Sequence, residues 1–362
     1  MTDRSLKLVL MGTGPFAVPS FRQIARSRHS ILAVVTKPPV EKPSRDKEPP
    51  ESPVMSWAKE SGLRVVTPSS MNEPDSLQWL CSLKPDLLIV CDYGQILSDE
   101  ALSMARLGGI HLHGSRLPRH RGAAPVQWSI LSGDQTAGVS VIHMTPKLDA
   151  GPVLEQRARD IEPDESAEGL EVRLSQLGVE PTLMAIDTLA DACTLGDDLQ
   201  SGVPQDRQLA TKAPRLKKSD GQLDFRYPVE WIDRQIRGLQ PWPGVFGNVL
   251  NAQGKSMRMV ILKAHPYLVA SEVLSEKGLK PGQIVFSDVA SRLSLTIEQP
   301  KQWVAVVAKN GLVILETMQI AGKSPMQSTG FVSGYSKQPG LCFETPAEPH
   351  PLLEKMMAMG NS

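Results

Sequence analysis

Along the first half of the chain, short apolar runs alternate with amphipathic stretches. Residues 7–11 (KLVLM), 31–36 (ILAVVT), 64–66 (RVV), 87–91 (LLIVC) and 138–144 (GVSVIHM) have the length and apolar character of strands. Between the earlier of these runs, residues 18–27, 53–61 and 76–83 carry helical spacing. Strands that alternate with helices need crossover connections, so this half predicts a parallel sheet flanked by helices. Residues 166–189 place Leu170, Leu174, Leu177, Leu183 and Ile186 on one face and predict a helix that closes the sheet. From 190 to 211 the pattern fades into polar residues and reads as a linker. Beyond it come short runs broken by Gly and Pro, at 246–250, 257–264, 283–286, 293–297, 304–308 and 312–319, which predict a small β-barrel.

Composition narrows this picture. A chain of 362 residues that is 41% hydrophobic can bury two cores, which excludes disordered and fibrous classes. Lys plus Arg equals Asp plus Glu at 39 each, so an anionic partner must be held by a local patch. From Ala213 onward there are 17 Lys or Arg against 12 Asp or Glu. Lys212, Arg215, Lys217 and Lys218, in TKAPRLKKSDG, form either a phosphate-facing strip or plain solvated surface. The four scattered cysteines contain no C-x-x-C pair, which argues against a zinc knuckle or a disulfide framework. No apolar run approaches the ~18–20 residues that cross a bilayer, and MTDRSLKLVLMG passes straight from polar residues into a strand. A cytoplasmic protein with no membrane partner is expected.

The richest chemistry lies in GIHLHGSRLPRHRG, residues 109–122. In a strand, His111 and His113 project to one side while Ile110 and Leu112 face the other. Gly114 and Pro118 then shape a turn that carries Arg116, Arg119, His120 and Arg121. Ligands of parallel sheets sit beyond the carboxyl ends of the strands, so the turn at Asp92-Tyr93-Gly94, the turn after His113, and Asp149 are expected to open on one crevice. Gly12-Thr13-Gly14, with Ala17, satisfies the looser dinucleotide pattern G-x-G-x-x-A. The second strand ends in Lys37-Pro38-Pro39, with no acid for a ribose hydroxyl, so a packing turn is the favoured reading. An H-x-H pair with Asp149 could ligate zinc, but the spacing is short and common, and no metal is expected. A hydrolase triad of Ser115, His113 and Asp149 lacks the G-x-S-x-G elbow. His143, among apolar strand residues, reads as a packed histidine, and Trp242 in PWPG as a turn lock or a nucleic-acid contact.

In order along the chain, GTGPFAVPS, SPV, DYGQIL, HGSRLPRHRGAAPVQWSI and GVSVIHMTPKLDAGPVL resemble the folate-dependent formyltransferases. APRLKKSDGQLDF, RGLQPWPGV, PGQI and AGKSPM are similar to the members of that family that act on a charged tRNA. The resemblance runs to about Cys342. It implies a Rossmann-like catalytic domain at 1–190, a linker at 191–211, an OB-like barrel at 212–345 that helps hold tRNA, and a tail at 346–362. The implied reaction moves the formyl group of 10-formyltetrahydrofolate onto the methionine amino group of initiator methionyl-tRNA, without a metal, in a protein expected to be monomeric. Matched position by position, His113 becomes the general acid–base and Asp149 its supporting carboxylate, while Ser115, Arg116, Leu117 and Pro118 would line the folate pocket. His111 departs from the family, which has asparagine there, and would have to replace its oxyanion donor. The segment 37–53 departs as well: members often carry a basic, glycine-rich stretch there, whereas Lys42, Arg45 and Lys47 are mixed with Glu41, Asp46, Glu48 and Glu51. Two alternatives stay open: a formyl enzyme acting on an amino-sugar nucleotide or hydrolysing the folate, and an idle relative that only binds tRNA or folate.

Overall fold

The computed structural model describes residues 5–39, 50–195, 201–289, 302–338, 340–348 and 350–352. Its first sheet is built around β1 (Lys7–Met11), which pairs in parallel with β2 (Ser30–Val35) and β4 (Leu87–Val90). Flanked on both faces by helices, among them α1 (Val18–Ile24), α2 (Pro53–Glu60), α3 (Pro74–Leu83) and α4 (Asp99–Ser103), these strands read as continuous apolar runs, and four of the five β1 residues are buried. β3 (Val65–Val66) forms one edge, and β5 (Gly109–His113) continues the parallel set beyond β4. One face packs Leu8, Leu10, Phe21, Ile110 and Leu112 against the closing helices, and the other packs Val9, Met11, Leu80 and Val90.

The strand after the basic turn does not follow the expected parallel course. β6 (Arg121–Gly122) is a short excursion, after which β7 (Thr136–His143) joins β5 antiparallel. β8 (Val153–Asp160) returns antiparallel beside β7, giving the order β3-β2-β1-β4-β5-β7-β8. A loop of nine residues joins β7 to β8, too short for the crossover that a parallel pair requires. The closing helix is two helices, α6 (Ala167–Leu177) and α7 (Val179–Leu195). They meet at Gly178, where an added Cβ would stand 2.8 Å from the Leu112 side chain, so the small residue lets the helix pair sit directly on β5.

Beyond this layer, β9 (Lys212–Ala213) pairs in parallel with β6, so the chain stays docked on the first unit as it leaves it. The second sheet then follows the order β12-β13-β14-β11-β10-β16. Its strands are β10 (Val245–Leu250), β11 (Ser256–Leu268), β12 (Ile284–Phe286), β13 (Val304–Ala308), β14 (Gly311–Ile320) and β16 (Cys342–Phe343), with β15 (Met326–Gln327) beside β14. A bridge between Gln283 and Cys342 joins the two ends, making the nearly closed OB-like barrel. The strand expected at 293–297 lies outside the described residues. A helix not anticipated, α8 (Val229–Gly238), buries Val229, Trp231, Ile232 and Ile236 in the barrel core. Trp128 and Leu131, from α5 (Pro125–Leu131), enter that same core, so the two units share buried apolar surface. The final segment is packed as far as Leu352: His350 and Leu352 are buried, and the His350 ring meets Trp231 edge-on at 4.7 Å. No helix among the described residues is long and apolar enough to cross a membrane.

Candidate active site

The carboxyl ends of β4 and β5 open into a cavity of about 590 Å³. Its walls include Asp92 and Tyr93 after β4, His111 and His113 on β5, Asp149 in the loop between β7 and β8, and Glu171 on α6. Strand alternation places both imidazoles on one side, with ring centroids 5.6 Å apart.

Each ring is oriented by a backbone carbonyl. His111 Nδ1 lies 3.1 Å from the Val90 oxygen, and His113 Nε2 lies 2.9 Å from the His120 oxygen. A carbonyl only accepts, so these nitrogens carry the protons and donate. The opposite nitrogens both face Asp149: His111 Nε2 is 3.7 Å from Oδ1, and His113 Nδ1 is 3.7 Å from Oδ2. In the neutral rings, two lone pairs and a carboxylate therefore converge on one volume. Burial pulls the His111 pKa below its ordinary value; Asp149 opposes this and His113 adds to it.

Asp149 is held from several directions. Its Oδ2 accepts the Gly122 N–H at 2.8 Å, and its backbone, at a φ of +51°, offers a carbonyl to Gln205 Nε2 at 2.9 Å. Gln205 also accepts from the Arg121 guanidinium, so the segment after residue 201 takes part in shaping the site. Gly122 has a φ of +131°, and a Cβ there would stand 2.5 Å from the Ala213 oxygen. The β6–β9 pairing thus depends on a glycine at this position.

The His120 carbonyl is itself anchored. His120 sits at a φ of +63°, its N–H donates to Thr211 Oγ1, and its Nε2 meets Asp134 Oδ2 at 2.7 Å. Arg119 pairs with the same Asp134. Arg119 and His120 therefore support the turn whose carbonyl orients the His113 ring.

The four residues that the resemblance assigns to folate are held by the sheet. Ser115 Oγ donates to the Arg119 oxygen at 2.6 Å, Leu117 N–H to Ser140 Oγ at 3.0 Å, and Gln156 Nε2 to the Leu117 oxygen at 3.0 Å. The turn from Ser115 through Arg116 and Leu117 to Pro118 is pinned against β7 and β8, and none of the four lines the cavity. Lys212, Arg215, Lys217 and Lys218 are exposed, and Arg215 stands in the cavity wall, so the basic strip starts at its rim. His143 also lines the cavity and is partly exposed. Trp242 is exposed on the barrel unit, and residues 40–49, with Glu41, Lys42, Arg45, Lys47 and Glu48 among them, lie outside the described residues.

The sequence places the Asp92-Tyr93-Gly94 turn at the crevice but assigns Asp92 and Tyr93 no chemistry, and it gives no hint of Glu171 in the wall. Asp92 has its pKa raised to about 7 by loss of water in the wall and by Glu171, with Lys37 opposing. Burial, then Glu168, raises Glu171. The Tyr93 hydroxyl is buried and lacks a hydrogen-bond partner among the described residues. The available signal was DYG directly after an apolar strand. The Gly12–Gly14 turn is a packing device: Gly12 N–H bonds the Val35 oxygen, and the Thr13 and Gly14 N–H groups bond the Asp92 oxygen. The amides that a pyrophosphate would need are engaged.

The family described as formyl transferase matches residues 6–186, and its C-terminal domain matches residues 215–336. A protein of Rhodopirellula baltica named methionyl-tRNA formyltransferase is 43% identical, over 91% of this chain and 94% of its own. One of Geobacter sulfurreducens with the same name is 34% identical, over 92% and 96%. Among solved structures, HypX from Aquifex aeolicus in complex with tetrahydrofolic acid superposes with a TM-score of 0.55 at 15% identity, over 92% of this chain. This chain spans about half of HypX, 47% of its length, and the likeness is one of fold. With both parts of the pattern matched in order, and relatives aligned along nearly their whole length, the chain belongs to the formyl transferase family.

Proposed function

We propose that this chain transfers the formyl group of 10-formyltetrahydrofolate to the amino group of methionine on initiator tRNA. The observation that carries the reading is the convergence of His111 Nε2, His113 Nδ1 and the Asp149 carboxylate at the wall of a cavity of about 590 Å³, a size that suits a small-molecule co-substrate. Near full-length similarity to proteins named for this reaction supports the acceptor. Residues 1–190 would hold the folate and the reacting groups, and 191–211 would link them to a tRNA-holding barrel at 212–345, with 346–362 following.

The reaction needs a proton acceptor, a proton donor and a stabiliser for negative charge. An amine attacking the formyl carbon forms a tetrahedral species with charge on oxygen. The amine N–H groups meet the convergent acceptors, and His113 takes a proton at Nδ1 while its Nε2 stays bonded to His120. Asp149 stabilises the resulting imidazolium, and the proton then goes to the departing folate nitrogen. Family asparagine could donate to the oxyanion at once. His111 uses its Nδ1–H on Val90, so Nε2 donates only when the ring is charged. Burial disfavours that charge at rest, while Asp149 favours it. His111 thus becomes a donor by taking up a proton, which ties oxyanion stabilisation to pH. The chemistry asks for no metal.

The test offers purified protein and 10-formyltetrahydrofolate three acceptors in parallel: charged initiator tRNA, an amino-sugar nucleotide, and water. Formylation of methionine on tRNA alone is expected. Preferential transfer to the sugar or to water would replace the reading with another formyl enzyme, and tRNA binding without turnover would mark an idle relative.

A further inference from the structure

We propose that His111, His113 and Asp149 also form a reversible, inhibitory site for a first-row divalent transition ion, with Zn²⁺ the best match to the donor set. Three electron-pair donors share one volume here, and neither neutral ring presents an N–H to it. The distal nitrogens bond the carbonyls of Val90 and His120 at 3.1 and 2.9 Å. This is the outer-shell arrangement that fixes the tautomer of metal-ligating histidines and raises their basicity. Asp149 is likewise held, by the Gly122 N–H on Oδ2, which leaves further lone pairs.

Spacing fits with a small closure. The three ligand atoms lie within 4.8 Å of one another, and both nitrogen–oxygen distances are 3.7 Å. Tetrahedral zinc with bonds of about 2.0–2.1 Å holds its ligand atoms about 3.3 Å apart. Modest rotation of the three side chains closes the difference, and the remaining position faces the cavity for a water or an amine. Two imidazoles and one carboxylate suit zinc, cobalt or nickel, and give magnesium or calcium too few oxygens. Asparagine at position 111 would remove one imidazole, so the site follows from the residue in which this chain departs from its family's pattern.

A bound ion would take the His113 Nδ1 lone pair and fill the space assigned to the acceptor amine. Inhibition should therefore compete with charged tRNA. Binding stands on geometry alone. The inhibition rests on the function proposed above, and the two are measured separately.

The test begins with chelator-stripped full-length protein, titrated with Co²⁺ and followed by its visible ligand-field absorption, then with Zn²⁺ against a chromogenic chelator. Wild type should bind one equivalent with a tetrahedral cobalt spectrum. His111→Asn and Asp149→Asn should each weaken binding by more than about 100-fold, above the roughly 10–100-fold that loss of an outer-shell partner costs, while His265→Gln on the barrel leaves it unchanged. Melting curves establish that each variant is folded, and Asp149→Asn serves if His111→Asn is not. Zn²⁺ should then raise the KM for charged tRNA in wild type and leave His111→Asn unaffected. Absence of a stoichiometric equivalent, or an equivalent that survives either ligand substitution, overturns the proposal.

Discussion

Replacing Asp149 with asparagine isolates the charge of the site from its shape. The amide is isosteric, can still accept the Gly122 N–H, and is among the residues that tolerate the φ of +51° at this position. What disappears is one negative charge 3.7 Å from each imidazole. With an effective dielectric of about 20, a pair at 3.7 Å is worth about 4 kcal/mol, or about a thousandfold in rate if the charge acts only when His113 is protonated. The assay is single-turnover formyl transfer at saturating folate and tRNA, with tRNA affinity measured separately. A fall in rate of two to four orders of magnitude with little change in tRNA affinity is expected. A loss below about tenfold would show that the carboxylate does not stabilise an imidazolium during the reaction.

Other consequences can be measured more simply. Burial pushes the Asp134 carboxyl up, but hydrogen bonds from His120 and Arg119 outweigh it and hold it below its ordinary value. Its contribution to stability is therefore fully present above the unfolded value and is lost as pH falls through the lower folded one. Asp134→Asn should cost about 1–3 kcal/mol in urea unfolding at pH 7, with the gap narrowing only below about pH 4; a gap that is the same at low pH would refute this. Gly122→Ala should part β6 from β9, because its Cβ would meet the Ala213 oxygen at 2.5 Å. Lower thermal stability and lower transfer rate should appear together, and a silent substitution would mean the pairing is not needed. Neutralising Lys212, Arg215, Lys217 and Lys218 should flatten the salt dependence of tRNA binding more than neutralising Lys42, Arg45 and Lys47 does. The opposite ranking would move the main phosphate contact to the 37–53 segment.

Much of the fold was legible because the strands buried on both faces are apolar throughout and the helices between them keep their period. What escaped had weaker chemistry. β8 (VLEQRARD) is a half-buried edge with four charged residues, so it carries little strand signal. Strand direction is not written in a single strand, and the antiparallel turn of β7 and β8 followed from loop length that could be seen only once β8 was found. α8 has strong helical amphipathicity in VEWIDRQIRG, which proline-rich flanks obscured. At the site, H-x-H alternation brought the two imidazoles to one face, and the loop logic brought Asp149 to them. The tautomers were not legible, since they depend on the carbonyls of Val90 and His120, one strand and one turn away. The role of Gln205 was hidden for the same reason: a polar residue in a polar stretch reveals its partner only in three dimensions. The resemblance assigned the Ser115–Pro118 turn to folate, and the hydrogen bonds that pin it to Ser140 and Gln156 of the sheet were visible only in three dimensions.

The most direct test of the central claim is the order of damage at the two histidines. Labelled formyl transfer from 10-formyltetrahydrofolate to initiator methionyl-tRNA is followed in single turnover for wild type, His111→Asn and His113→Ala, each with its melting curve. The expected result is N-formylmethionine on tRNA at a substantial rate with His111→Asn and a loss of most activity with folded His113→Ala. Transfer that survives in His113→Ala and fails in His111→Asn would contradict the assignment of His113 as the group that moves the proton.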